Sequence, residues 1–306
     1  MTCRVAFGIY LSAFALACGS TSSASNFSAT SDAGTTATLV VAEGAAPLVQ
    51  DGSVTLKLEP VDATSPPEVG PSEGGGSSTL SMTIRDFKMW NASDPATNPD
   101  FQNEVGDDRG IVQTTLGADG KPAYETATPT TLTTHGKADF DEWYNDTPGM
   151  NISVSYPIPL TPQANGTYGY DSLVSGVPTN PPSDPAKGFF PIDDGTPYAT
   201  TFGNEGEPHN YSFTTELHTV FTYTGGETFS FSGDDDVFVF INRALVINLG
   251  GVHNREDASV ALDSLGLVKG QQYPLDLFGA ERHMIGSNVS FQTTLALSPA
   301  PPLAPK

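Results

Sequence analysis

The chain is short of cysteine, of positive charge and of long apolar runs, and each shortage closes off a class of protein. Only Cys3 and Cys18 occur among 306 residues, and Cys3 lies within an N-terminal segment expected to be removed. No disulfide framework, iron–sulfur cluster or cysteine-based zinc site can then be built. Lys and Arg number 13 against 35 Asp and Glu, a formal net charge of −22. That balance argues against nucleic acid and against electrostatic binding to an anionic membrane. The five histidines, at 135, 209, 218, 253 and 283, show no His-x-x-x-His or comparable spacing, which disfavours a zinc enzyme. The chain carries no Gly-x-Ser-x-Gly elbow, no phosphate loop and no dinucleotide fingerprint. Acid pairs are too common in so acidic a chain to single out a glycosidase dyad. The expectation is therefore a protein that is not an enzyme.

The longest apolar run, Val5–Ala17, is too short to span a bilayer and reads, after Arg4, as a secretory signal over residues 1–17. It ends in Ala15-Leu16-Ala17-Cys18-Gly19, which resembles the bacterial lipobox. Cys18 would then be acylated and become the new N-terminus, placing the protein at a bacterial surface. Gly19, in place of Asp, favours the outer membrane. Residues 18–78 are rich in Gly, Ser, Thr and Pro, bury little apolar surface, and are expected to form a disordered stalk. Two strand-like runs inside it, Thr38–Val41 and Ser53–Leu58, are assigned to the stalk. The folded domain is expected over 79–296, with a proline-rich tail at 297–306.

Within that domain helical periodicity is scarce, and Gly or Pro interrupts nearly every window. Short β-forming runs dominate: Leu80–Ile84, Asn151–Tyr156, His218–Tyr223, Thr228–Phe231, Val237–Ile241, Leu245–Leu249, Ser259–Leu262, Tyr273–Phe278 and Asn288–Leu295. The pattern predicts an all-β fold, an antiparallel β-sandwich or jelly roll with long loops at 91–130 and 160–210. Only Ala138–Tyr144 hints at a helical turn. Val237–Ile241, apolar on both sides, is expected to be a central strand.

Just before that strand stand Asp234, Asp235 and Asp236, led by Gly233. Adjacent like charges repel, and an apolar flank strengthens the repulsion by lowering the local dielectric. The cost is offset by full solvation, by backbone N–H donors or by a bound cation. Calcium suits such a site, since it takes six to eight oxygen ligands in irregular geometry. An Asp-rich turn that merely caps a hairpin is the other reading.

Several ordered motifs then combine: Thr83-Ile84-Arg85-Asp86-Phe87, Asn98-Pro99-Asp100-Phe101, Gly188-Phe189-Phe190-Pro191-Ile192-Asp193 and His209-Asn210-Tyr211-Ser212-Phe213-Thr214. They continue with Gly233–Asn242, Leu249-Gly250-Gly251-Val252-His253, Ala280-Glu281-Arg282-His283 and Ser287-Asn288. Across nearly all of 79–296 the chain resembles bacterial fibro-slime domain proteins, and through them is similar to the protective-antigen-type lectin sandwich of toxins, glycosidase inserts and adhesins. That resemblance implies a cis peptide joining Asp234 and Asp235, with both carboxylates on a calcium ion that also holds sugar hydroxyls. It adds Asn288 as a further ligand, and Asp236 completes the expected metal set. Two departures stand out: Arg243 and Asn248 occupy positions where the family usually has Gly and Asp.

Asn242, His253, Glu281, Arg282 and His283 are the expected carbohydrate contacts, although Glu281 and Arg282 also suit an internal ion pair that fastens the loop. Trp90, Trp143 and Tyr144 suit either a stacking platform or packing. The function implied is a lipid-anchored, calcium-dependent module for adhesion, with an extracellular or cell-wall polysaccharide as partner. The alternative is a structural surface protein whose loops contact another protein.

Overall fold

The computed structural model describes residues 26–30, 36–40, 78–101, 104–125, 127, 129–178, 187–200 and 202–300. The chain divides into two units, Met1–Pro71 and Ser72–Lys306. In the first, Asn26–Thr30 pairs antiparallel with Thr36–Val40, Asn26 opposite Val40. The strand-like run Thr38–Val41, assigned to the stalk, overlaps the second of these strands. The expected signal segment, Cys18 and Ser53–Leu58 lie outside the described residues. Among the described residues no helix is long and apolar enough to cross a membrane.

The second unit is an all-β sandwich. Its main strands are β1 (Ser78–Phe87), β2 (Asn151–Pro162), β3 (Tyr168–Asp171), β4 (Phe213–Thr222) and β5 (Thr228–Gly233). They continue with β6 (Asp236–Ile241), β7 (Ala244–Leu249), β8 (Glu256–Ala261), β9 (Gln272–Glu281) and β10 (Val289–Thr293). The hydrogen-bonded order is β7-β6-β9-β4-β1-β2-β3-β10-β5-β8, with each neighbouring pair antiparallel. The run folds over at β2: residues Asn151–Leu160 pair with β1, while Thr161 and Pro162 pair with β3. Sequence alone ended this strand at Tyr156 because Pro157 follows. Pro157 and Pro159 are tolerated because only β1 flanks β2 there, so the missing N–H groups remove no ladder bond.

Alternation along β6 explains its unbroken apolar run. Val237, Val239 and Ile241 join Leu275, Leu277, Leu217, Phe229, Phe231 and Phe291 inside the sandwich. Phe238 and Phe240 point to the opposite face, where they meet Phe278, Phe87, Phe101, Phe140, Trp143 and Tyr144. The segment between β1 and β2 therefore folds back over one sheet and builds a second core. Its helix, Lys137–Asp141, buries Phe140, 4.8 Å from the Trp143 ring. Phe87 stacks on Phe101 at 4.4 Å. Each such ring, fully buried, contributes roughly 1.5–3 kcal/mol. Trp143 and Tyr144 are thus packing residues.

Two ends differ from expectation. Ser298–Pro299 pairs with β4 and Leu297 is buried, so ordered structure runs past 296. At the β6–β7 hairpin, Asn242 and Arg243 have φ of 51° and 68°, as a two-residue type I′ turn requires. Arg243 holds this backbone without glycine because its Nη2 donates to the carbonyls of Leu116 and Gly117, at 2.9 and 2.6 Å. The 191–210 segment is tied to β1 by the motif side chains. Asp193 accepts from His209 Nδ1 at 2.6 Å and from the Asn210 N–H at 2.8 Å, and Asn210 Nδ2 donates to Asp86 at 2.8 Å.

Candidate functional site

The three aspartates stand where the chain leaves β5 in one sheet and enters β6 in the other. Gly233 is required by close approach, since a Cβ there would lie 2.4 Å from the Asn288 carbonyl oxygen. The Asp234–Asp235 peptide is cis, as the resemblance implied. The three side chains then diverge in role. Asp234 accepts from the Asn288 N–H at 2.5 Å and from its Nδ2 at 2.8 Å. Asp235 accepts from the backbone N–H groups of His253, at 3.2 Å, and Arg282, at 3.0 Å. Neither carboxylate takes a hydrogen bond from a charged side chain among the described residues.

Asp236 is different. It is fully buried on the other face of β6, where it accepts from Arg282 Nε at 2.6 Å and from the Gly251 N–H at 2.6 Å. It faces the second core rather than the other two acids, so the expectation that it joins them on a metal is corrected. The strand's two-residue period puts Asp236 on the face opposite Asp235 once Asp236 lies inside the ladder.

Arg282 is corrected as well. Its side chain is wholly buried, donating to the Asp100 and Thr133 carbonyls and to Thr133 Oγ1 at 2.8, 2.9 and 3.0 Å. Its guanidinium carbon lies 4.5 Å from the Trp143 ring centroid. It fastens the loop to the body of the domain and has no surface to offer a sugar. Asn242 lies at the far end of β6, about 20 Å from Asp236 by strand rise, and is no part of this site. Glu281 is 3% exposed, and neither of its oxygens has a hydrogen-bond partner. The Ser287 hydroxyl and the His283 N–H lie near enough to favour its ionised form without completing a bond. It too is removed from the list of direct sugar contacts.

What remains opens onto a groove of about 620 Å³ lined by Asp235, His253, His283, Asp107, Val252 and Ile285, among others. His253 and His283, two of the expected contacts, thus line the same groove as Asp235. Sequence reasoning missed Asp107 and Val105, which arrive because Gly106–Asp107 pairs with Gly251–Val252. It also missed Ile285, 88% exposed at the rim, and Arg109, which reaches Glu256 Oε2 at 2.5 Å and His253 Nε2 at 3.2 Å. No local pattern marks these residues, since tertiary contact alone assembles them.

The electrostatics are lopsided. Burial raises Asp234, opposed by its bonds from Asn288 and by the charges of His253 and Arg255. Burial pushes Asp235 well above the usual carboxylate range; the Arg282 N–H and charge oppose it, and Asp236 and Asp234 add to it. Burial and then the charges of Asp235 and Asp234 lift Glu281 strongly too. Beside them the Asn288 Oδ1 atom is buried with no partner. Among the described residues no three His, Cys, Asp or Glu side chains converge as a metal cage. The donor set present is two carboxylates and one amide oxygen. These hard oxygen donors, in surplus negative charge with one amide oxygen orphaned, fit a calcium ion.

Comparison with known proteins gives the site a context. Residues 191–301 match the PA14 domain family, a family associated with carbohydrate binding and adhesion and typical of extracellular or cell-surface proteins. The chain is similar to two Dictyostelium discoideum proteins. Protein psiR is 39% identical over 206 residues, 66% of this chain and 20% of that protein. Protein psiD is 39% identical over 207 residues, 64% of this chain and 38% of that protein. The chain thus spans a fifth to two-fifths of these relatives. Solved structures with a partial likeness include the PA14 domain of the MpAFP antifreeze protein, at 17% identity and TM-score 0.22 over 30% of this chain and 47% of that one. Another is a β-glucosidase from Kluyveromyces marxianus in complex with glucose, at 19% identity and TM-score 0.22 over 31% and 12%. The expected resemblance is met as the match of residues 191–301 to the PA14 family, while psiR and psiD are Dictyostelium proteins rather than bacterial fibro-slime lipoproteins.

Proposed function

We propose that this domain is an extracellular carbohydrate-binding module that holds its glycan through a calcium ion at Asp234, Asp235 and Asn288. The observation that carries the reading is a carboxylate, Asp235, buried in the floor of the groove without a cationic side-chain partner, with half-buried Asp234 next to it in the chain and an orphaned amide oxygen on Asn288, which bonds Asp234. Leaving such charge uncompensated is costly, and a divalent cation removes the cost. Bound there, calcium offers open coordination positions to neighbouring sugar hydroxyls. The chain's own residues supply the rest. His253, His283 and Asp107 can exchange hydrogen bonds with hydroxyls, and Val252 and Ile285 present apolar surface to the C–H face of a ring. Acylation of Cys18, holding the module at a cell surface, belongs to the same proposal.

The test is the melting temperature of the metal-stripped protein with added calcium or magnesium, followed by glycan binding with and without chelator. Calcium at 100 times its Kd adds about 2.7 kcal/mol, or roughly 5–10 °C for a domain of this size. A calcium-specific rise, lost in Asp235→Asn together with glycan binding, is expected. Glycan binding that persists in chelator would overturn the ion's role. One observation favours a second reading, a protein partner: Ile285 and Val105 are 88% and 62% exposed beside the groove. That reading predicts no glycan binding under either condition.

A further inference from the structure

Among the described residues no side chain of the segment between β1 and β2 hydrogen-bonds Asp234 or Asp235, yet the segment reaches them through Arg282 and Asp236. Each of those two residues works in two directions. The Arg282 backbone N–H donates to Asp235 Oδ2 at 3.0 Å, while its side chain runs away from the groove into the second core. There it bonds Asp100 O, Thr133 O and Thr133 Oγ1 and stacks on Trp143. Asp236 follows Asp235 in the chain, and its carboxylate closes the same network on Arg282 Nε and the Gly251 N–H. Gly251–Val252 in turn carries His253, whose N–H holds Asp235 Oδ1, and pairs with Gly106–Asp107 of the inserted segment. Both oxygens of Asp235 are therefore aimed by backbone donors whose positions are set from the far side of the sheet.

The anchor point on that side is Thr133. Its Oγ1 accepts from Arg282 Nη2 at 3.0 Å and donates to Asp108 Oδ2 at 3.2 Å, and its N–H donates to the same oxygen at 2.9 Å. Thr133 is buried, contributes nothing to the groove and is marked by no sequence motif. We propose that Thr133, acting through Arg282, is a positioning residue that presets Asp235 for the ion, so that the inserted segment tunes cation affinity from behind the site. This rests on the calcium reading above. Residues that orient metal ligands from behind typically change affinity 10–100-fold when altered.

The experiment is calorimetric titration of calcium into the metal-stripped full chain, alongside hydrogen–deuterium exchange of the Arg282 and His253 amides in the metal-free protein. Thr133→Val keeps the shape and removes the hydroxyl. Its calcium Kd should rise about tenfold, and both amides should exchange faster before any calcium is added. Thr133→Ser, which restores the hydroxyl, should return both toward wild type. Should Thr133→Val fail to fold, Asp108→Asn weakens the same anchor and should shift Kd and exchange in the same direction. A lower Tm in Thr133→Val with unchanged Kd and unchanged amide exchange would make the network a plain structural brace and overturn the proposal. Wild-type protein that binds no calcium would overturn the calcium reading itself, and this inference with it.

Discussion

Raising pH should unfasten a clasp on the outer face of β4 and β9. His218 sits directly opposite Asp276 in that ladder, with Nδ1 2.7 Å from Asp276 Oδ1 and Nε2 2.8 Å from Glu216 Oε1. Only the imidazolium can donate to both. Glu216 also accepts from Arg85 Nη1 at 2.5 Å and lies 3.8 Å from Lys121 Nζ, and Arg85 pairs with Asp146 at 2.9 Å. Burial opposes the charge on His218, but the bonds to Asp276 and Glu216 outweigh it and lift the group from 6.5 to about 9. A pKa raised by folding means the native state holds the proton more tightly than the unfolded chain. The stabilisation is therefore complete below about pH 6.5 and is lost as pH rises through 9. At about 1.36 kcal/mol per pH unit the interval amounts to about 3 kcal/mol, or roughly 6–12 °C in Tm for a domain of this size. Melting curves of wild type and His218→Gln between pH 6 and pH 9.5 check this. The gap between them should be widest near pH 6 and shrink by about that amount. Parallel curves across the range would refute the reasoning.

Further outcomes are accessible with single substitutions. Asp86 is buried, with one carboxylate oxygen unpartnered. Burial raises it to about 7, its bond from Asn210 opposes this, and the Glu205 charge adds to the rise. Folding thus favours the protonated acid, and stability is lost from about pH 4 as pH climbs through 7. Asp86→Asn should melt higher than wild type at pH 8 and lose that advantage at pH 4. Gly251→Ala should destabilise strongly, because φ is 118° and a Cβ would stand 2.3 Å from the Gly106 carbonyl oxygen; urea unfolding measures the loss. Phe231→Ala, in the sandwich core, should cost about 3–5 kcal/mol by the same assay. Asn242→Ala should leave calcium and glycan titrations unchanged, since it sits at the opposite end of β6.

How far the sequence carries can be read from single residues. Period-2 alternation located Thr228–Phe231 inside β5 and Leu245–Leu249 inside β7, because side-chain periodicity is a local property of the strand. The helical hint at Ala138–Tyr144 overlaps the helix at Lys137–Asp141 for the same reason. The acidic turn was visible because three adjacent like charges beside an apolar strand demand an explanation. Local pattern failed where a residue's partner lies far along the chain. Arg282, next to a Gly-Ser-Asn turn, suited a sugar contact and an internal fastening alike; what it fastens to, Thr133 and Trp143, lies well over a hundred residues upstream.

By itself, then, the sequence determined that this is an all-β protein with an acidic turn leading into a central strand, since both follow from short-range periodicity and charge. Which of the three aspartates faces the groove and which is buried on Arg282 was decided by the tertiary structure. So was the role of Thr133. Side-chain direction, which flips with each one-residue step along a strand, is silent in composition, and it acquires meaning only when the inserted segment covers one face of the sheet and leaves the end of the strand open to solvent.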